Sequence, residues 1–479
     1  SDNSAGVGSG AVANPGNGGG LHVTGAANIS ISGGTISGNT AALEGGGLWN
    51  GSGTMTIDGT VIDGNTASGD AADDGGGGIF NNGGTVTITG SETIISNNLA
   101  DGTSGSGGGI FNATDGTITI SGASITGNTA NRAGGGIEDA SGVDGGISLT
   151  GVDLSNNSAG VGDGAVANPG NGGGLHVTGA ANISISGGTI SGNTAALEGG
   201  GLWNGSGTMT IDDAVIDGNT ASGDAADDGG GGIFNNGGTV TITGSSTVIS
   251  NNVADGVSGS GGGIFNATGG TITISGASIT GNTVNRAGGG IEDASGIDGG
   301  ISLTGVDLSD NSAGVGSGAV ANPGNGGGLH VTGAANISIS GGTISGNTAA
   351  LEGGGLWNGS GLMTIDDAVI DGNSASGDAA DDGGGGIFNN GGTVTITGSE
   401  TIISNNVADG VSGSGGGIFN ATDGTITISG ASIAGNTANR AGGGIEDASG
   451  VDGGISLTGV ELSDNSAGVG SGAVANPGN

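Results

Sequence analysis

Hydrophobic positions along the chain follow a short repeating unit. Each unit reads GGG-[LI], then an apolar-x-apolar pair, then [IL]-x-x-N; in the first unit the apolar positions are Leu21, Ile29, Ile31 and Ile36. Segments that alternate with a period of two and are separated by Gly and Asn turns predict β-strands. Helical spacing is absent. The pattern therefore predicts three strands per unit and no helix.

The units are grouped into a longer repeat. The stretch GGGLHVTGAANISISGG begins at Gly18, Gly172 and Gly326, and each long repeat holds five GGG units. This predicts the end of a preceding coil at 1–17, then long repeats at 18–171, 172–325 and 326–479, all in one continuous solenoid. Identical apolar columns in successive units are typical of a parallel β-solenoid, in which each strand pairs with its equivalent one coil away. We predict an all-β fold: a single β-helix of about fifteen coils without caps.

A polar column follows the third apolar position of every unit. In the first long repeat it consists of Asn39, Asn65, Asn98, Asn128 and Asn157. Stacked side-chain amides can bond the coils above and below, so we interpret this Asn column as structural. The GGG runs are interpreted as tight turns with positive φ.

Composition narrows the function classes. Of 479 residues, 126 are Gly and none is Cys, and 43 acids against three Arg and no Lys give a net charge of −40. Without Cys there are neither disulfides nor thiolate metal sites. A chain this acidic has no footprint for nucleic acid. No apolar run is long enough for membrane insertion.

One position collects all the aromatic side chains. It follows the leading aliphatic and, by strand alternation, is expected to point outward. The residues are Trp49, Phe80, Phe111, Trp203, Phe234, Phe265, Trp357, Phe388 and Phe419, and we call them the aromatic column. An exposed column of this size predicts a contact surface for a glycan or another filament. The alternative is a ladder that stabilises neighbouring coils by stacking, or that a corner loop covers.

Acidic residues cluster in the ten-residue segment between Asn65 and the next GGG. Asp70, Asp73 and Asp74, with carbonyl groups of Gly-rich turns, are ligands that could coordinate Ca²⁺. The alternative is a solvated acidic surface that keeps molecules apart. No cofactor is required by either interpretation.

The residues give weaker support to two further activities, ice binding and catalysis. Thr-x-Thr columns such as Thr85 and Thr87 resemble the ice-binding face of insect antifreeze solenoids, but other coils interrupt them. An enzyme would need one cleft with paired carboxylates and a basic residue. Here every residue recurs in three copies, and Arg132 is expected to pair with acids such as Glu138. We therefore predict no enzymatic activity.

The repeats resemble a known group. GGG-[LI] together with Ile36-Ser-Gly-Asn39 or Ile95-Ser-Asn-Asn98 is similar to the GGA-[ILV] and F-x-x-N motifs of chlamydial polymorphic outer-membrane proteins. Those repeats resemble the right-handed parallel β-helices of the pectate-lyase-like superfamily. The resemblance implies a right-handed coil. The lack of Cys, Lys and Tyr fits an exported protein at the cell surface or outside the cell.

Together these features favour a non-catalytic extracellular structural filament or adhesin stalk. Residues 1–17 recur unchanged at 463–479, so the chain is expected to continue end to end into copies of itself, and it could also pack side by side. The alternative is a carbohydrate-binding surface adhesin that uses the aromatic column. An ice-binding solenoid or a polysaccharide-degrading enzyme is less well supported.

Overall fold

The structure is a computed structural model that describes residues 1–6, 16–161, 170–315 and 324–468. These residues form β-strands joined by turns and short loops. Within them there is no helix that is long and apolar enough to cross a membrane.

Each coil contains four strands rather than the three predicted. In the first long repeat the first-sheet strands are Leu21–Val23, Leu48–Asn50, Ile79–Asn81, Ile110–Asn112 and Ile137–Asp139. Those of the second sheet are Ile29–Ser32, Thr54–Asp58, Thr85–Thr89, Thr117–Ser121 and Asp144–Thr150. Those of the third are Thr35–Ser37, Val61–Asp63, Ile94–Ser96, Ser124–Thr126 and Asp153–Ser155. Those of the fourth are Thr40–Ala41, Thr66–Ala67, Leu99–Ala100, Thr129–Ala130 and Ser158–Ala159, and Ser4–Ala5 of the preceding coil pairs with the first of them.

The fourth strand escaped prediction because it is only two residues long, which is one period of strand alternation. The later long repeats have equivalent strands with equivalent bounds, with two exceptions. Asn182–Ser186 and Asn336–Ser340 begin one residue earlier than Ile29–Ser32. Ile455–Thr458 lacks the beginning of Asp144–Thr150.

The chain divides into two compact units. The first comprises residues 1–222 and 231–241, and the second comprises residues 223–230 and 242–479. Within each unit, every strand pairs in parallel with its equivalent in the next coil. Ile79, for example, lies between Leu48 and Ile110, and Ile88 lies between Ile57 and Ile120. The predicted parallel β-solenoid is confirmed.

Aliphatic stripes fill the interior of each unit. Leu48, Met55, Ile57 and Ile62 of a single coil are all fully buried, and their equivalents in neighbouring coils stack on them. Full burial of such a side chain stabilises by about 1.5–3 kcal/mol, so these stripes are the main force that holds the coils together. The small fourth strand contributes Ala67, which is also fully buried.

The GGG runs have two roles, of which the sequence predicted one. The first glycine has positive φ, as expected; for Gly76 it is 63°. The second and third do not. A Cβ on Gly77 would lie 2.4 Å from the Gly108 carbonyl oxygen, and one on Gly78 would lie 2.6 Å from that of Gly109. These glycines are required because successive coils approach each other closely at this edge.

Candidate functional site

The aromatic column is buried, which corrects the expectation of an exposed contact surface. Trp49, Trp203 and Trp357 are 8% exposed, and the six Phe side chains are 1–2% exposed (Phe80, Phe111, Phe234, Phe265, Phe388 and Phe419). Alternation does point the rings away from the aliphatic core. Ala113 and Ala140 pack against the rings of the first long repeat, and Ala72 and Asp73 of a corner loop line a cavity together with Phe111. The rings are therefore largely shielded from solvent.

Rings in successive coils stack along the column. The planes of Trp49 and Phe80 differ by 2°, with centroids 6.4 Å apart, and those of Phe80 and Phe111 differ by 10° at 5.0 Å. The same geometry recurs between Trp357, Phe388 and Phe419. This is the stacked ladder that was the alternative interpretation, and it stabilises contacts between coils.

Between long repeats the column continues through a contact between a glutamate and a histidine. His176 Nδ1 lies 2.8 Å from Glu138 Oε2, and Thr178 Oγ1 donates to Glu138 Oε1 at 2.7 Å. The His176 ring stacks on Trp203 with a centroid distance of 4.3 Å. Glu292, His330, Thr332 and Trp357 repeat this arrangement in the second unit, with the same Glu–His distance of 2.8 Å. We call each Glu–His contact a junction pair.

Electrostatics at the junction pair favour the ionised carboxylate. Burial of Glu138, which is 1% exposed, raises its pKa. The charge and hydrogen bond of His176, the Thr178 hydroxyl and the charge of Arg132 outweigh this effect, so the pKa is lowered overall. Both carboxylate oxygens are occupied by protein groups, which suits this residue to holding coils together.

Arg132 does not pair with Glu138, contrary to expectation. Within the described residues, no acid lies within ion-pairing distance of Arg132, and its Nη1 donates instead to Ser106 Oγ at 3.2 Å. Glu138 contacts a histidine of the next coil instead, because strand register places His176 directly beside Glu138. Sequence proximity alone did not reveal this partner.

A second glutamate accepts a hydrogen bond from the tryptophan of the aromatic column. Glu44 Oε2 accepts a hydrogen bond from Trp49 Nε1 at 2.8 Å, and Glu352 does the same for Trp357 at 2.9 Å. Burial, assisted by the charges of Asp382 and Asp381 and opposed by the Trp357 hydrogen bond, raises the pKa of Glu352 to about 7. The pKa of Glu44 is raised for the same reasons.

The Asn column makes the hydrogen bonds expected of stacked amides. Asn98 Nδ2 donates to the Ile62 carbonyl at 2.9 Å on one side and to Asn128 Oδ1 at 2.9 Å on the other. Asn65 donates to Asn98 Oδ1 through both its backbone and its side-chain nitrogen. Asn39, Asn65, Asn98, Asn128 and Asn157 are all 0–1% exposed.

A second amide ladder was missed by the sequence analysis. Asn50, Asn81 and Asn112 follow the aromatic residues, and each donates to the next: Asn81 Nδ2 lies 2.8 Å from Asn112 Oδ1. The ladder ends at Asp139, whose Oδ1 accepts from Asn112 at 3.0 Å and whose burial raises its pKa. The sequence could have predicted this ladder, because strand alternation points the residue after an outward ring inward, and that residue is Asn in these three units.

The acidic corner uses its carboxylates within the loops. Asp70 Oδ1 accepts a hydrogen bond from the Thr103 backbone at 2.8 Å, and Asp74 Oδ2 accepts one from Ala71 at 3.0 Å. Asp73 is exposed and lines the same cavity as Phe111. Across the described parts of the chain, no three His, Asp or Glu side chains are grouped so as to hold a metal ion.

Cavities of modest size lie beside the aromatic column. In the first unit, Phe111, Arg132 and Glu138 line one of about 290 Å³. In the second unit, a more polar cavity of about 390 Å³ is lined by Arg286, His330, Glu352, Trp357 and Asp382. Each combines a cation, a carboxylate and an aromatic edge.

No family model, curated protein or solved structure matches this chain.

Proposed function

We propose that this chain is a non-catalytic extracellular structural element, a filament or adhesin stalk whose coils continue end to end into further copies. The observation that carries the proposal is that its buried polar side chains form hydrogen bonds between neighbouring coils. The side-chain amides of Asn98 and its equivalents form hydrogen bonds to the coils before and after them, and both carboxylate oxygens of Glu138 contact the next coil. Polar groups that already bond to neighbouring coils stabilise coil stacking and are not available to act on a substrate.

The motif resemblance supports the location. GGG-[LI] with Ile-Ser-Gly-Asn is similar to repeats of chlamydial polymorphic outer-membrane proteins, which lie at a cell surface, and to pectate-lyase-like β-helices. We extend to this chain their right-handed coil and their exposure outside the cell. The net charge of −40 fits a surface that stays solvated.

Strand pairing between successive long repeats supports the stacking of further copies. Ile137 of one long repeat pairs with Leu175 of the next, and Ile291 pairs with Leu329 in the same register.

Light scattering after size exclusion, together with negative-stain electron microscopy, tests this proposal. With rising concentration the chain is expected to form species at successive multiples of its mass, seen as threads of constant width. Observation of the monomer mass alone at every concentration up to about 1 mM would mean a dissociation constant weaker than that of a specific interface. That result contradicts end-to-end growth.

Carbohydrate binding is the second candidate, and the cavity beside Trp357 favours it. Arg286, Glu352 and Asp382 line this cavity together with Trp357. Charged side chains can form hydrogen bonds to sugar hydroxyls, and an indole offers an apolar surface for the sugar ring. Trp357→Phe keeps the stacked ring but loses the Nε1 donor to Glu352. Titration with neutral oligosaccharides is expected to show binding that this variant weakens. Glu400→Gln, at an exposed residue outside the cavity, is expected to leave the binding unchanged. Absence of binding by the parent chain rules this candidate out.

A further inference from the structure

The dipeptide Asn-Gly occurs nine times in the chain, and the structure places it in three kinds of surroundings. Three copies come directly before a GGG run, three lie in the second amide ladder, and three lie in the turn between the first and second sheets. The Asn residues of these groups are, in this order, Asn17, Asn171 and Asn325; Asn50, Asn204 and Asn358; and Asn82, Asn236 and Asn390. We call the last three the turn asparagines.

In the amide ladder, neighbouring coils hold both groups of the dipeptide. Asn50 is fully buried, and its Nδ2 donates to Asn81 Oδ1 at 2.9 Å. The backbone nitrogen of Gly51 donates to the Val23 carbonyl oxygen at 2.9 Å. The side chain and the nitrogen that follows it are therefore not free to move toward each other.

The dipeptides before the GGG runs are held in a similar way. Asn17 Nδ2 donates to Glu44 Oε2 at 3.0 Å, and the backbone nitrogen of Gly18 donates to the Glu44 carbonyl oxygen at 2.9 Å. The backbone nitrogen of Gly326 makes the equivalent hydrogen bond to Glu352, also at 2.9 Å. In this group the Gly nitrogen is therefore occupied by hydrogen bonding between coils.

The turn asparagines are placed differently, because all three are exposed. Within the described residues, neither the Asn82 nor the Asn390 side chain has a hydrogen-bond partner, and neither has the N–H group of Gly83 or Gly391. Gly83 and Gly391 have positive φ values of 75° and 82°, which a turn without a Cβ accepts readily. The side chain and the next backbone nitrogen are therefore open to each other and to water.

An Asn-Gly dipeptide with both groups free can cyclise without an enzyme. The Gly nitrogen attacks Cγ of the Asn side chain, a new C–N bond forms, and the bond from Cγ to the side-chain nitrogen breaks. Ammonia leaves with the proton of the Gly nitrogen, and the product is a neutral five-membered imide. Water then opens the ring at one of its two carbonyl groups and gives Asp or isoaspartate. Glycine favours the attack because it has no Cβ to hinder the nitrogen.

We infer that the turn asparagines are the sites at which this chain deamidates, and that the fold protects the other six Asn-Gly dipeptides. The inference goes beyond the proposed function and does not depend on it. Sequence alone does not separate the three groups, because the dipeptide is the same in all of them. Burial and hydrogen bonds from neighbouring coils distinguish them.

Deamidation changes both the charge and the main chain of the turn. Each event replaces a neutral amide with a carboxylate, which is ionised at neutral pH. At Asn390 the new carboxylate joins Glu352 in the lining of the same cavity. Isoaspartate also lengthens the main chain by one carbon atom. At Asn82 this atom falls within the turn that Asn81 Nδ2 closes by donating to the Gly84 carbonyl oxygen at 2.8 Å.

Peptide mapping of the full chain tests the inference. The folded protein is incubated at mildly alkaline pH, digested with pepsin, and analysed by mass spectrometry with fragmentation that separates Asp from isoaspartate. The turn asparagines are expected to deamidate at least about tenfold faster than Asn50 and Asn17, whose reaction requires local opening of the coil. In urea the three groups are expected to react at similar rates. Equal rates in the folded chain, or an unreactive Asn82, overturn the inference.

A triple variant gives an independent measurement. It combines Asn82→Ser, Asn236→Ser and Asn390→Ser, which change only exposed turn residues, so circular dichroism is expected to show an unchanged fold. On isoelectric focusing after incubation, the parent chain is expected to gain more acidic species, whereas the variant keeps its original charge.

The matched control replaces three exposed asparagines that are not followed by Gly and have positive φ, which Gly accepts: Asn97→Gly, Asn251→Gly and Asn405→Gly. It is expected to gain acidic species at the rate of the parent chain. If the turn variant gains them at that rate too, the assignment of these sites is overturned.

Discussion

Asn98 shows how one side chain joins three coils. Its nitrogen donates to Ile62 of the preceding coil and to Asn128 of the following one, while its oxygen accepts two bonds from Asn65. The column itself could be predicted from sequence, because Asn recurs at a constant position after an inward aliphatic. The second ladder through Asn81 forms the same kind of hydrogen bonds. It was not predicted because each of its Asn residues follows an aromatic or similarly large side chain, and the prediction for this strand concerned only that outward side chain.

Replacing Asn98 with Ala is expected to lower the free energy of unfolding by about 3 kcal/mol or more, because it leaves buried groups of Ile62 and Asn65 without partners. Urea unfolding followed by circular dichroism measures the change. The matched control is Asn82→Ala, an exposed Asn, for which a change within about 0.5 kcal/mol is expected. Equal effects of the two substitutions would show that the column adds no stability.

At the scale of the element, coil spacing depends on glycine in two ways. Gly76 adopts positive φ, and Gly77 has no room for a side chain, since its Cβ would lie 2.4 Å from the Gly108 oxygen and 2.5 Å from Leu99 N. Sequence predicts the turn but not the clash, because Gly108 lies one coil away. The fourth strand could not be predicted for a related reason: two residues are too short to show alternation, and only pairing with the equivalent residues of other coils defines the strand.

Gly77→Ala is expected to destabilise the coil by at least about 3 kcal/mol through overpacking against backbone that cannot rotate away. Gly64→Ala is the comparison: Gly64 has φ of 62° but nothing within 4 Å of the added Cβ, so about 1–2 kcal/mol is expected. Thermal melts of the two variants rank these costs. A Gly64 variant less stable than the Gly77 variant would refute the role of coil approach.

At the scale of the whole molecule, buried carboxylates make stability depend on pH in two opposite senses. The pKa of Glu352 is raised to about 7 from 4.5, so the folded state binds more protons than the unfolded state between these values. The pKa values of Glu138 and Glu292 are lowered, so the stability they contribute is present above about 4.5 and is lost as pH falls through their folded values.

Stability is therefore expected to increase as pH falls from 8 to 5, by up to about 3 kcal/mol from Glu352 alone, and to decrease again at lower pH as the junction pairs are protonated. Urea midpoints measured across this range check the profile. Glu352→Gln, which cannot titrate, is expected to flatten the change between pH 5 and 8. If that variant keeps the full slope, Glu352 is not its source.

By itself the sequence determined the coil, its parallel register and the inward aliphatic and Asn columns, because a pattern repeated in every unit places like residues over one another. It also predicted that rings such as Phe111 point away from the core. Only the tertiary structure decided that these rings are buried, that Glu138 takes His176 rather than Arg132, and that Gly77 must be glycine. Each of those outcomes depends on a partner one or more coils away, and periodicity within a coil carries no information about such distances.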